Sequence, residues 1–342
     1  MKILKTAAVI FIIISVMLPL FSCTGSRACY ESSRFDLFDT VCTLRAYTNS
    51  RSDFDKASSR IFDLLERLNK LFDIYNSYEN INNIKTVNDN AGINPVTVDA
   101  DIIGMLNFSL EMYETTGGSM NIMIGALTSV WHRYREADAN ALPSKEELSA
   151  AAEHIDISSL VIDSERSAVY ISDPEASLDV GAVAKGYAAK LILELLPETE
   201  IESAVINLGG NIVTYGTKPD GSLWRVAVEK ADNGEYIDTY ELADMSVVTS
   251  GDYQRYYTVN GVRYHHIIDP ETLYPVTGAR QVSVICDDPA LADAMSTALF
   301  VMDAESGDQL AEKYRLFVIR LLDDGRITYT GKNAGGSETS LK

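Results

Sequence analysis

Leu178-Asp179-Val180-Gly181-Ala182-Val183-Ala184-Lys185-Gly186-Tyr187 decides how this chain is read. A carboxylate, a run of small residues and a lysine meet where a strand is expected to end and a helix, over residues 183–197, to begin. Small residues let backbone approach a ligand closely, and backbone carbonyls there can bind a hard cation. The same pattern suits a tight strand–helix junction with Lys185 on the surface, so the stretch alone leaves both readings open. It is not a GxGxxG turn, and no Walker sequence occurs in the chain. The usual nucleotide-binding folds are therefore disfavoured.

Working outward, Leu160-Val161-Ile162 and Ala168-Val169-Tyr170-Ile171 read as strands joined by a polar turn, and Ala204 to Leu208 as a buried strand. Further upstream, residues 34–48 alternate as a strand. Residues 53–72 place Ile61, Leu64, Leu65, Leu68 and Leu71 at helical spacing. Asn-rich residues 80–91 read as loop, 100–116 as a second helix stopped by Gly117-Gly118, and Ser144-Lys145-Glu146-Glu147 as a capping box opening another. Downstream come several strands between Trp224 and Ile268, a strand at Val282–Cys286, helices at Pro289–Met302 and 304–314, and strands over 316–330. Helices mixed with antiparallel-looking strand runs, without regular βαβ alternation, give an α+β class.

The chain's 342 residues are 46% hydrophobic and 23% charged, enough for a sizeable core. Lys2 and Lys5 precede an apolar run from Ala7 to Val16, and Leu20-Phe21-Ser22 leads into Cys23. A short apolar stretch behind basic residues reads as an export signal over residues 1–22. A small residue directly before a cysteine resembles a bacterial lipobox. Cys23 is then the lipidated N-terminus, residues 23–33 a tether, and the protein a lipid-anchored one at the bacterial cell membrane, facing outside the cytoplasm. Loss of Lys2 and Lys5 takes the formal charge from −20 to −22, which excludes nucleic acid as a partner. A phosphate ligand would need a local cation, for which a metal is the obvious candidate. Cys29, Cys42 and Cys286 match no zinc or redox spacing. Free thiols and a Cys29–Cys42 disulfide both fit the sequence. Four histidines, His132, His154, His265 and His266, are too few for a multi-histidine metal site.

Three more clusters have the composition of a site. Asn207-Leu208-Gly209-Gly210-Asn211 is either a plain turn or a place of close approach. Ser250-Gly251-Asp252-Tyr253-Gln254-Arg255-Tyr256-Tyr257, followed by His265-His266-Ile267-Ile268-Asp269-Pro270, sets histidines among polar and aromatic strand residues. They serve either acid–base work or the strand itself. Asp288 and Pro289 open a helix on which Asp293 and Thr297 lie one turn apart. Carboxylate plus hydroxyl suits magnesium, and a hydrogen-bonded core aspartate fits equally.

In this order, LDVGAVAKGYA at 178–188, NLGGN at 207–211, SGDYQRYY at 250–257, HIIDP at 266–270 and ADAMSTALFVM at 292–302 resemble the ApbE-like FAD:protein FMN transferases. The likeness covers roughly residues 34 to 330. It implies one α+β domain over residues 34–332, with mixed sheets flanked by helices and FAD in a central cleft, before a disordered tail at 333–342. It also implies magnesium on the Ala182 carbonyl, the Asp293 carboxylate and the Thr297 hydroxyl. FAD, as substrate, would be contacted by Phe38, Tyr75, Asp179, Lys185, Ile267 and Ile268, and His266 would be catalytic. Ser119, Met120 and Asn121 replace part of the family's GAFDI stretch, with methionine and asparagine where phenylalanine and aspartate are usual. Leu273 stands for a glycine in the DPxTGxP stretch. The implied reaction moves FMN from FAD to a threonine of exported redox proteins. A magnesium-dependent FAD pyrophosphatase and a non-catalytic flavin-binding lipoprotein are the alternatives.

Overall fold

Phe38 and Asp39 adopt left-handed φ values of 53° and 54° and turn the N-terminal segment back on itself. Residues 34–48 are therefore not one strand but part of a hairpin, β1 (Ala28–Leu37) and β2 (Thr40–Thr48). The computed structural model describes residues 27–137, 140–231 and 234–332. The expected signal, Cys23 and the tail at 333–342 lie outside the described residues. Residues 28–33, expected as tether, belong to β1.

Helix α1 (Arg51–Phe72) follows, capped by Ser50, whose side chain accepts from the Asp53 amide. The Asn-rich segment expected as loop contains α2 (Ile84–Asp89), started by Asn83 and Thr86 as a reciprocal capping box. Next come β3 (Val96–Thr97), α3 (Ala100–Thr115), α4 (Gly125–Glu136) and α5 (Lys145–Ala152). The capping box read at Ser144 and Glu147 is present. Strands β4 (Leu160–Asp163) and β5 (Ala168–Ile171) pair with β3 in a small sheet. No strand leads directly into α6 (Ala184–Leu195); residues 172–183 carry only a single bridge, Ile124 with Ser177. Then follow β6 (Ser203–Leu208), β7 (Asn211–Tyr215), β8 (Trp224–Glu229), β9 (Tyr236–Leu242), β10 (Ser246–Gly251), β11 (Tyr256–Val259), β12 (Val262–His265) and β13 (Ala279–Cys286). The chain closes with α7 (Pro289–Val301), α8 (Ala304–Lys313), β14 (Phe317–Leu322) and β15 (Ile327–Thr330).

Eight strands form one antiparallel sheet in the order β1-β2-β6-β7-β10-β13-β14-β15. The apolar face of α1 packs on β1 and β2, and α7 on β10 and β13. Helices α6 and α7 pack against each other, and both contribute residues to the main core cluster. The α+β class read from the sequence is the observed one. Cys29 lies opposite Tyr47, and Cys42 opposite Arg34. They stand several ladder steps apart at about 3.4 Å each, beyond disulfide reach, and both are free.

Candidate active site

Where α6 meets α7, the carboxylate and the small residues come together. The Gly186 amide donates to Asp293 Oδ2 at 2.7 Å. A Cβ at position 186 would fall 2.4 Å from Asp293 Cβ and 2.4 Å from the Pro289 carbonyl oxygen. Only glycine permits this approach. Asp293 is 4% exposed, and burial pushes its carboxyl above the usual range. Lys185, the Gly186 amide and the Asn211 side chain pull it back down. Ser250 Oγ lies 2.8 Å from Ser296 Oγ and 3.3 Å from Thr297 Oγ1, tying this turn of α7 to β10. Among the described residues no three His, Cys, Asp or Glu side chains converge on a metal position. A cation here would need carbonyl and hydroxyl oxygens beside Asp293. That donor set fits a hard cation, and a buried carboxylate without an ion-pair partner is costly otherwise.

These groups open into a cleft of about 910 Å³, near the upper end of small-molecule sites at roughly 300–1,000 Å³. Every flavin, metal and catalytic residue that the family likeness implies lines it: Phe38, Tyr75, Ser119, Met120, Asn121, Asp179, Ala182, Lys185, His266, Ile267, Ile268, Asp293 and Thr297. Asp179 is held on both oxygens, by Thr128 Oγ1 at 2.8 Å and by the Gly181 amide at 3.0 Å. The chain just before it is clamped by Asn88, whose amide bonds both the Leu178 N–H and its carbonyl. Phe38 sits at the hairpin tip, its N–H donated to Asn69 Oδ1 at 2.7 Å. Tyr75 is 52% exposed at the mouth, its ring 5.5 Å from that of His132. Asn121 spends its amide on the Ile155 carbonyl and the Met123 N–H, and Met120 is core. The two departures at 120 and 121 thus hold the wall of the cleft.

The two neighbouring histidines have different environments. His265 Nε2 is 2.8 Å from the Val276 carbonyl, and its Nδ1 accepts the Ile267 N–H at 3.2 Å. Both nitrogens are occupied by backbone. His266 Nδ1 is buried with no partner. Burial drives its pKa down to about 3, helped by His265, Arg255, Arg135 and Lys185, so the imidazole is neutral near pH 7. Asp252, another conceivable base, is instead engaged by Arg263 at 3.1 Å and Arg280 at 3.2 Å.

Sequence reading found Lys185 but missed the two arginines of the cleft. Arg135 and Arg255 line it with Lys185, so an acidic chain gathers positive charge from three distant segments. Arg135 Nη2 donates to His132 Nδ1 at 2.7 Å, and Arg255 pairs with Asp39 of the hairpin tip at 3.5 Å. Burial lowers the pKa of Arg135. Thr128, His132 and Arg135 all belong to α4. Recognising that helix would have put Thr128 and Arg135, two turns apart, on one face.

A cleft joining a buried carboxylate, hydroxyls, cations and a neutral histidine is the site of a group-transfer enzyme acting on an anionic substrate. The chain belongs to the ApbE family, which its residues 38–319 match. It is 30% identical to the FAD:protein FMN transferase of Treponema pallidum over 325 residues, 89% of this chain and 87% of that one. It is also 30% identical to that of Vibrio cholerae over 288 residues, 82% and 84% of the two chains. The apo flavinyl transferase ApbE of Pseudomonas stutzeri superposes with a TM-score of 0.78 at 25% identity, covering 91% of this chain and 98% of that one. The ApbE protein of Thermotoga maritima gives 0.78 at 27% identity, covering 89% and 97%.

Proposed function

We propose that this chain is a magnesium-dependent FAD:protein FMN transferase that attaches FMN to threonine residues of exported redox proteins and releases AMP. The observation that carries this reading is His266, a neutral imidazole with an unpartnered buried nitrogen, in the same cleft as Asp293. The Ala182 carbonyl, Asp293 carboxylate and Thr297 hydroxyl would hold magnesium, which when bound neutralises charge on the FAD diphosphate.

The acceptor threonine oxygen attacks the FMN-side phosphorus. A new P–O bond forms there, and the bond from that phosphorus to the bridging oxygen breaks. AMP departs with the electron pair. A threonine hydroxyl is a weak nucleophile at neutral pH, and its proton passes to His266, whose Nδ1 is free of protein partners. Lys185, Arg135 and Arg255 supply fixed positive charge in the cleft, preorganised before the substrate arrives. Ile267 and Ile268 give an apolar wall, and Tyr75 and Phe38 offer aromatic surface at the entrance.

Cys23 is the proposed lipidation site, placing the enzyme at the bacterial cell membrane on its outer side. Only residues 24–27 separate it from β1. At roughly 3.5 Å per residue this is a short leash, which restricts the enzyme to acceptors near the bilayer. The catalytic reading is tested by incubating the protein with FAD, magnesium and a threonine-bearing acceptor. The acceptor should gain one FMN as AMP appears in equal amount. AMP without acceptor gain would make it a pyrophosphatase, and neither product would make it a binding protein.

A further inference from the structure

Two buried side-chain atoms without a hydrogen-bond partner, His266 Nδ1 and Asn211 Nδ2, belong to residues lining the same cleft. His266 has a place in the proposed reaction. Asn211 has none so far.

Asn211 opens β7, paired with Leu208 across the Gly209–Gly210 turn. Both glycines are left-handed, at 62° and 98°, and Asn207 Oδ1 accepts the Gly210 N–H at 2.8 Å. A Cβ on Gly209 would sit 2.3 Å from Thr40 Oγ1, so the turn is pressed onto β2. The hairpin therefore has little freedom to carry Asn211 away. At 2% exposed the residue has almost no access to bulk water. The Asn211 side chain is close enough to Asp293 to help hold that carboxyl down, yet Nδ2 makes no well-formed hydrogen bond to it or to any other protein acceptor. A buried donor held rigidly at a cleft without a well-formed hydrogen bond destabilises the empty protein, and an apolar residue of the same shape would not.

We infer that Asn211 donates its amide N–H to an anionic oxygen of the substrate's diphosphate, at the end of the cleft formed by Asp293 and Lys185. The inference rests on the reading of the cleft as the FAD site. The amide discriminates by direction where Lys185 contributes charge. It makes Asn211 a substrate-binding residue whose cost falls on the unliganded fold.

The test uses Asn211→Leu, with Asn211→Ala as a smaller variant in case leucine does not fit. FAD and riboflavin, which lacks the diphosphate, are titrated by fluorescence in magnesium buffer, and thermal unfolding is followed with and without FAD. FAD affinity should fall roughly 10-fold or more, the scale of one hydrogen bond to a charged group. Riboflavin affinity should be unchanged. The unliganded Asn211→Leu protein should melt at or above the wild-type temperature, and FAD should stabilise it less. Wild-type FAD affinity in both variants would overturn the inference. So would a lower melting point with equal loss of FAD and riboflavin, which marks a structural role. If the wild-type protein itself binds no FAD, the reading of the cleft fails first and the assignment falls with it.

Discussion

Gly186 and Asp293 meet across the α6–α7 contact with no room for a methyl group between them, while the Gly186 amide holds one oxygen of the carboxylate. The glycine is thus part of how Asp293 is aimed. Gly186→Ala should separate the helices, costing about 1–3 kcal/mol by overpacking, and should lower transfer while leaving protein on the membrane. Asp293→Asn keeps the shape and removes the charge. It should fold at least as stably as the wild type without magnesium and lose transfer on the order of 10²-fold or more. Full transfer by Asp293→Asn would remove the metal assignment.

The two adjacent histidines should separate cleanly. His266→Ala should lose transfer by about 10²-fold or more with little change in melting temperature. His265→Ala should do the reverse in kind. It strips partners from the Val276 carbonyl and the Ile267 N–H and opens space beside Phe300. A loss of about 1–3 kcal/mol is expected from the unpaired backbone groups. Single-turnover transfer and denaturant unfolding on both variants check this. A His266→Ala enzyme as fast as wild type would end the base assignment.

Local signals explain which elements were legible from sequence. Helix α1 carries its leucines at helical spacing, and Ser144 and Glu147 announce α5 with a capping box. The α2 cap, Asn83 with Thr86, lacks the usual Glu or Gln and sits in a run of asparagines that mimics loop. Helix α4 begins at Gly125 without a side-chain cap, so nothing local marks its start. The β1–β2 turn carries Phe38 and Asp39 where such turns usually carry Asn-Gly. It is secured in part by Asn69 of α1, a contact that sequence neighbours cannot reveal. The residues gathered in the cleft were named by family likeness. Asn88, Thr128, Arg135 and Arg255 have roles only through tertiary contacts, and composition gave no hint of them.

Leu273 holds a glycine's conformation, with φ of 65°. Its carbonyl accepts the Trp131 indole N–H at 3.0 Å, and its side chain packs on the Trp131 cluster. The left-handed backbone costs a leucine about 1–2 kcal/mol. Leu273→Gly relieves this but loses packing and adds about 0.5–1 kcal/mol of unfolded-state entropy. The net change should lie within about 1 kcal/mol. Leu273→Val, branched at Cβ, should be clearly worse. Equilibrium unfolding in urea compares the three, and a valine variant as stable as wild type would contradict the strain.

Membrane attachment should depend on Cys23. The proposed anchor is the lipid on that residue. Cys23→Ala, expressed in its host, should move from the membrane to the soluble fraction. Retention in the membrane with the signal removed would refute lipidation at this residue.

The pH dependence of stability should carry opposing signatures from His266 and Asp293. His266 is held down to about 3 by burial and by the positive groups near it, Arg255, Arg135 and Lys185, against about 6.5 when unfolded. Between those values the unfolded chain binds a proton that the folded chain refuses. Stability is therefore fully present above pH 6.5 and falls as pH drops toward 3. Asp293 is raised by burial, so the folded chain takes up its proton more readily than the unfolded one. Its ionisation costs stability as pH rises through the raised value, and acidification restores it. Melting temperature measured from pH 7 to pH 4, without FAD or magnesium, should decline for the wild type. His266→Gln should flatten that decline, because its side chain does not titrate. Asp293→Asn should steepen it at the acid end, because the compensating uptake is gone. All other titrating groups are shared among the three proteins, so the differences isolate these two. A His266→Gln curve parallel to wild type across the whole range would mean that burial does not depress the imidazole's titration in the folded protein.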